Sequence, residues 1–194
     1  MQRRKNKYEK LILNGSIREE FVENRKPVFL YSAGTHFMVS KKFSLKGNFS
    51  NKYRTPTFNE RYWNPGGNPN IAPETGYSGE LSACYTAYKE YHSLSLSNSL
   101  FFSKVNDLVQ WVSDPVTRPV SEKKVSSAGY ELNGRYVYKK SQISIESNFS
   151  YTFSNAIIQD HATRENLIGK TLIYSPQHIL NQSTYIHFSD FAWV

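Results

Sequence analysis

Five histidines, one cysteine and a scatter of carboxylates are the groups of this 194-residue chain that could do chemistry. His36, His92, His161, His178 and His187 show no metal-ligand spacing such as H-x-x-x-H, so they read as surface histidines and no metal or cofactor is expected. Cys84 stands alone, which excludes an internal disulfide and any cysteine-based zinc site. Ser121-Glu122-Lys123-Lys124 contains S-x-x-K without the companion motifs that give it meaning. Asp107 and Asp114 fall at a strand end and in a loop, with nothing to set their pKa values apart. No G-x-S-x-G and no phosphate-cradling glycine loop occurs, and the chain reads as a non-enzyme. What remains is binding chemistry. Tyr62, Trp63, Asn68 and Asn70 put aromatic faces and amides in one loop, where they are candidates for ligand contact. Arg54 with Glu74 or Glu80, and Arg135 with Glu146, are candidates for ion pairs.

The elements that must position these groups have a period of two. In residues 42–53, Phe43, Leu45, Gly47, Phe49 and Tyr53 take one face, against Lys42, Ser44, Lys46, Asn48, Ser50 and Lys52. In residues 142–153, Ile143, Ile145, Phe149, Tyr151 and Phe153 oppose Gln142, Ser144, Glu146, Asn148, Ser150 and Thr152. Such strict alternation specifies strands, not helix. Weaker versions at 9–21, 28–39, 75–89, 93–112, 121–139 and 177–193 bring the expectation to about eight strands and nearly no helix. Parity puts Arg54, Glu74 and Glu80 on the polar face.

The connections predict two unlike ends. Links near Ser40-Lys41, Glu90-Tyr91 and Lys140 read as tight turns, and those around 22–27, 55–74, 113–120 and 155–174 as long loops. The 55–74 loop has ordinary turn chemistry, with the turn formers Asn64-Pro65 and Asn68-Pro69, and with Gly66-Gly67, which permits positive φ. A turn at Lys140-Ser141 would place Lys139 opposite Gln142, Asn133 opposite Asn148, and Arg135 opposite Glu146.

Composition agrees with a wall that is greasy on one side and wet on the other. Hydrophobic residues make up 39% and aromatics 15%. Mean hydropathy is −0.58 and the sequence pI is near 9.4. A transmembrane barrel asks for this mixture. The formal charge of +8 is spread in small clusters, which argues against a nucleic-acid partner. No apolar run reaches the length of about 18 residues that a membrane helix needs. After the basic start, only Leu11-Ile12-Leu13 precedes Asn14-Gly15, so no signal peptide is expected in this chain.

Several stretches resemble TonB-dependent outer-membrane receptors of the siderophore or cobalamin type. Arg54 to Glu60 resembles their "R-x-P-x-F-x-E" strand exit, and Gly67 to Glu74 their "G-N-P-x-x-x-P-E" loop. Val105 to Trp111 is similar to "x-x-D-x-I-x-W", and Ala128 to Leu132 to "x-G-x-E-L". Gly169 to His178 is similar to "G-K-x-L-x-Y-x-P-x-H". The resemblance implies an all-β, antiparallel up-and-down transmembrane barrel segment. With about eight strands against about 22 in a complete receptor, it implies an open curved sheet over residues 1–194, without a plug domain. The implied parent binds a scarce nutrient such as a metal chelate or cobalamin, and the piece by itself is not expected to transport. The implied partners are outer-membrane lipid, a small nutrient ligand, and TonB only through the missing plug. Two other readings stay open: a self-contained eight-stranded structural or adhesive barrel, which needs the first and last strands to pair, and a soluble β-rich binding module, which needs a second sheet over Phe43, Leu45 and Phe49.

Overall fold

The computed structural model describes residues 10–22, 26–113, 115–161 and 165–188, the side chains of Glu122 and Lys123 excepted. Eight strands form one sheet in sequence order: β1 (Leu11–Glu20), β2 (Val28–Met38), β3 (Phe43–Arg54), β4 (Glu74–Lys89), β5 (His92–Ser113), β6 (Thr117–Lys140), β7 (Ile143–Asp160) and β8 (His178–Phe188). Every neighbouring pair is antiparallel. Among the described residues β1 and β8 lie at opposite edges, so the sheet is open and the closed eight-stranded barrel is not formed. No second sheet covers the apolar face of the described residues either, and Leu45 and Phe49 are 42% and 39% exposed.

Alternation sorts the two faces as the sequence requires. Ser44, Lys46, Asn48, Ser50 and Lys52 of β3 stand beside Cys84, Ser82, Glu80, Ser78 and Gly76 of β4. The other face carries aromatic belts at both ends. Near the long-loop end, Phe49 lies within ring-contact distance of Tyr31, Tyr77 and Phe102, at 6.1–6.5 Å between centroids. Near the tight-turn end, His92 lies 5.1 Å from Tyr138 and 6.0 Å from Tyr136. The ten residue steps along β5 from Phe102 to His92, at about 3.4 Å each and a barrel tilt of about 40°, separate the belts by about 26 Å. That matches an apolar band about 25 Å tall.

The strands are longer at one end than a membrane needs. β5 and β6 run for 22 and 24 residues, against about 9–11 for a tilted crossing. Because β4–β5 and β6–β7 close in the turns Glu90-Tyr91 and Ser141-Gln142, the surplus stands at the other end. The long link expected at 113–120 is therefore wrong: the ladder runs on to Ser113 and Thr117, leaving only residues 114–116 as the connection. Pro119 falls within that expected loop, yet it is tolerated in a strand here. β6 pairs with β7 only as far as Lys124 and Asp160, so a residue without an N–H can sit where that flank of β6 is free. Likewise β7 continues to Asp160, and only residues beyond it form the β7–β8 loop. The expected ends of the first and last strands, residue 9 and residues 189–193, lie outside the described residues.

The β6–β7 register differs by two residues from the one read in the sequence. The turn is Ser141-Gln142, with Ser141 at φ +51°, so Asn133 faces Ser150, and Arg135 faces Asn148. A shift of two keeps every side chain on its face, which is why alternation alone could not reject it. Arg135 still reaches Glu146 diagonally, through Nε and Nη2 at 2.9 and 2.8 Å.

The register can be checked by cross-linking in a Cys84→Ser background. Asn133→Cys with Ser150→Cys should oxidise readily to a disulfide, because directly opposed strand residues bring their Cβ atoms within reach. Asn133→Cys with Asn148→Cys should stay largely reduced, and the opposite result would restore the other register.

Candidate functional site at the outer rim

The β3–β4 connection is organised by one arginine at the end of β3. Thr57-Phe58-Asn59-Glu60 is a capping box: the Glu60 amide donates to Thr57 Oγ1 at 3.3 Å, and the Thr57 amide donates to Glu60 Oε2 at 2.7 Å. It starts a short helix, α1 (Phe58–Tyr62), where the sequence was expected to give only loop. Arg54 Nη1 donates to both Glu60 carboxylate oxygens, at 3.0 and 3.1 Å, and Nη2 donates to Glu74 Oε1. Glu74 Oε1 also accepts the Val109 amide at 2.9 Å. β4 has ended there, so the carboxylate takes a β5 N–H that the ladder no longer satisfies. Two acids, one cation and a free strand edge are thus joined at one point.

Burial gives this cluster its weight. The Glu60 side chain is 8% exposed and that of Glu74 is 14%, whereas Arg54 is 39% exposed. Burial pushes the Glu60 carboxyl upward, but the hydrogen bonds from Arg54 and from the Thr57 amide outweigh it, so its pKa lies below the ordinary glutamate value. Glu80, the other acid considered for Arg54, is elsewhere. It accepts from Ser82 Oγ at 2.7 Å and from Asn48 Nδ2 at 3.5 Å, within the hydroxyl- and amide-rich wall. Glu60 is the member of this cluster that the strand pattern missed, although its T-x-x-E spacing signals a helix start.

The four loop residues are dispersed over the rim. Tyr62 and Trp63 are 53% and 51% exposed. Tyr62 packs on Phe58 at 5.0 Å with Arg61 over its ring, and Trp63 lines a recess with Trp111, Val116 and Thr117. Asn68 Oδ1 accepts the Asn70 amide at 3.0 Å, which fixes the turn and leaves Asn70 exposed. Asn64-Pro65 is cis. Gly66 and Gly67 do not use the positive φ that glycine permits; they allow close approach instead. A Cβ at Gly66 would fall against the Thr117 carbonyl, and one at Gly67 would lie 2.8 Å from Arg61 O.

A second connection closes the rim from the other side. Residues 167–172 lace back along β7: Ile158 N–H donates to Lys170 O at 3.0 Å, and Leu172 N–H to Ala156 O at 2.8 Å. Leu167 and Leu172, with Leu108, pack against Val125, Ala156 and Ile158, a small buried cluster of the fold. Asp107, at φ +55°, interrupts the β5 alternation just before Leu108. Between the β3–β4 loop, the β5–β6 hairpin and this segment lies a cavity of about 860 Å³. Among the described residues, no group of three or more His, Cys, Asp or Glu converges as a metal site.

A family model described as "TonB dependent receptor-like, beta-barrel" matches residues 6–194. The chain belongs to this family. It is 25% identical over 105 residues to a vitamin B12 transporter BtuB of Photobacterium profundum, covering 54% of this chain and 17% of the relative. It is 32% identical over 59 residues to a vitamin B12 transporter BtuB of Vibrio vulnificus, covering 30% of this chain and 9% of the relative. The FrpB iron transporter from Neisseria meningitidis superposes with TM-scores of 0.60 (F5-1 variant, apoprotein form) and 0.57 (F3-3 variant), both at 12% identity. Those superpositions cover 91% and 92% of this chain and 28% of FrpB, and they show the shared fold alone. The matched regions span less than a third of the relatives. For this receptor-barrel chain, the apolar face is the lipid side and the serine- and asparagine-rich face is the inner wall.

Two outcomes follow from the Arg54 cluster. Arg54→Gln should cost about 1–3 kcal/mol of local stability, the scale of hydrogen bonds to charged groups, discounted because Arg54 is partly exposed. It should appear as faster amide exchange across residues 55–73, with the β6–β7 hairpin unchanged. In the wild type the same segment should loosen as pH falls. Because the folded-state pKa of Glu60 is depressed, its contribution is full above the ordinary glutamate range and drains as pH drops through the folded value. Glu60→Gln should flatten that acid limb.

Proposed function

We propose that residues 1–194 supply one arc of the barrel wall of a larger outer-membrane receptor that captures a scarce nutrient, such as a metal chelate or cobalamin, at its outer rim. Import would then follow by TonB coupling of the complete receptor. The observation that carries the reading is the family match over residues 6–194, joined to a rim where the two long connections gather and enclose recesses. The relatives named as vitamin B12 transporters support cobalamin within that range. In this reading Tyr62, Trp63, Asn68 and Asn70 make the first ligand contacts. The pairs Arg54–Glu74 and Arg135–Glu146 hold the rim and inner wall in shape, without touching the reaction path of any ligand.

Equilibrium dialysis of the full chain in lipid nanodiscs against radiolabelled cyanocobalamin and ferric citrate tests the reading. Saturable uptake of one of them is expected, with a loss of about tenfold in Trp63→Ala plus Asn68→Ala, on the scale of a central aromatic contact. Binding of neither, by a chain that does enter the nanodisc, would remove the nutrient-receptor reading.

A further inference from the structure

The cavity between the β3–β4 loop, the β5–β6 hairpin and the 167–173 segment has a composition that selects for charge. Its volume of about 860 Å³ falls in the range of small-molecule sites, roughly 300–1,000 Å³. Val112, Val116, Ile158, Leu167 and Ile173 make an apolar wall. Into the same space come Asn68, Gln110, Arg118, Ser121 and Lys170. Among the described residues, no aspartate or glutamate lines it. Arg118 and Lys170 make no ion pair or hydrogen bond with another described side chain, unlike Arg54 and Arg135. Ser121 Oγ is buried and has no hydrogen-bond partner among the described residues, and a polar atom left so is costly until something meets it. Two cations approach from different connections, Arg118 from β6 and Lys170 from the β7–β8 loop.

We infer that this cavity binds a small organic anion with an apolar body, a carboxylate being the simplest head group. The head lies between the Arg118 guanidinium and the Lys170 ammonium, where charge-assisted hydrogen bonds are strongest. The Ser121 hydroxyl supplies a further donor, and the body rests on the valine and isoleucine wall. An uncharged ligand of the same shape gains the wall but leaves both cations unmet. The inference rests on the rim being ligand-facing and names the class of ligand it takes.

The test uses the full chain in lipid nanodiscs and a charge-matched pair of probes, 1-naphthoate and 1-naphthamide, followed by ligand-observed NMR titration. Naphthoate should bind at least about fivefold more tightly than the amide, a difference on the scale of one charge-assisted bond in a partly exposed site. Arg118→Gln plus Lys170→Gln should abolish that preference while amide binding persists, and Ser121→Ala should weaken naphthoate alone. Both cations are exposed, and unchanged β-sheet circular dichroism would show the variants are folded. Equal binding of the two probes, an unaltered preference in the double variant, or no binding of either probe would each overturn the inference. Dialysis against cyanocobalamin and ferric citrate reads the nutrient-receptor proposal separately, so either idea can fail with the other intact.

Discussion

A backbone N–H or C=O that faces hydrocarbon without a partner costs several kcal/mol, and that constraint orders the whole molecule. It forces consecutive antiparallel pairing from β1 to β8 and tolerates irregular chain only beyond the lipid. The same demand explains the rim. Where β4 stops short of β5, the Glu74 carboxylate accepts the Val109 amide in place of a strand carbonyl. Where β7 outruns β8, residues 170 and 172 return to its edge and restore the ladder with their own backbone. Side chains and loop backbone thus finish what the sheet leaves open.

That substitution places a charge in a semi-buried position, and Arg54 is its consequence. A carboxylate 14% exposed needs a cation, and the guanidinium fork can serve two acids at once where an ammonium would serve one. Glu60 is the second acid, and it belongs to the capping box that starts α1. The end of one strand, the start of the next, a helix start and an unpaired edge therefore share a single hub. Rigid anchoring at its base lets the rest of the β3–β4 loop present Trp63 and Asn68 to solvent without a core of its own.

The strands were readable because their evidence is binary: Phe43, Leu45 and Phe49 against Ser44, Lys46 and Asn48 admit one assignment of faces. Register was not readable to better than two residues, since Asn133 beside Asn148 and Asn133 beside Ser150 satisfy the same parity. Hairpin length failed for a related reason. Pro115 and Pro119 both fall in the stretch expected as the 113–120 loop, yet Pro115 sits in the short connection and Pro119 lies in β6 where β7 no longer pairs. At the rim, Arg54 and Glu74 were legible from parity, because both continue a strand face. Glu60 was not, since a five-residue helix offers no period, only the Thr57-x-x-Glu60 spacing. The cavity was wholly hidden, as Arg118, Ser121 and Lys170 come from segments whose approach depends on where two loops fold back.

These different degrees of legibility mark a division of labour. The wall tolerates wide sequence change, which is how 12% identity coexists with a TM-score of 0.60 to FrpB: alternation and small inner residues suffice to build it. Some of its charges are held locally, Arg135 by an ion pair with Glu146 and Glu80 by hydrogen bonds from Ser82 and Asn48. The rim cavity is different, for its two cations meet no described carboxylate and its Ser121 hydroxyl no described partner. On the inferred anion site, selectivity would reside at this rim, in groups that the fold holds in place but leaves unsatisfied.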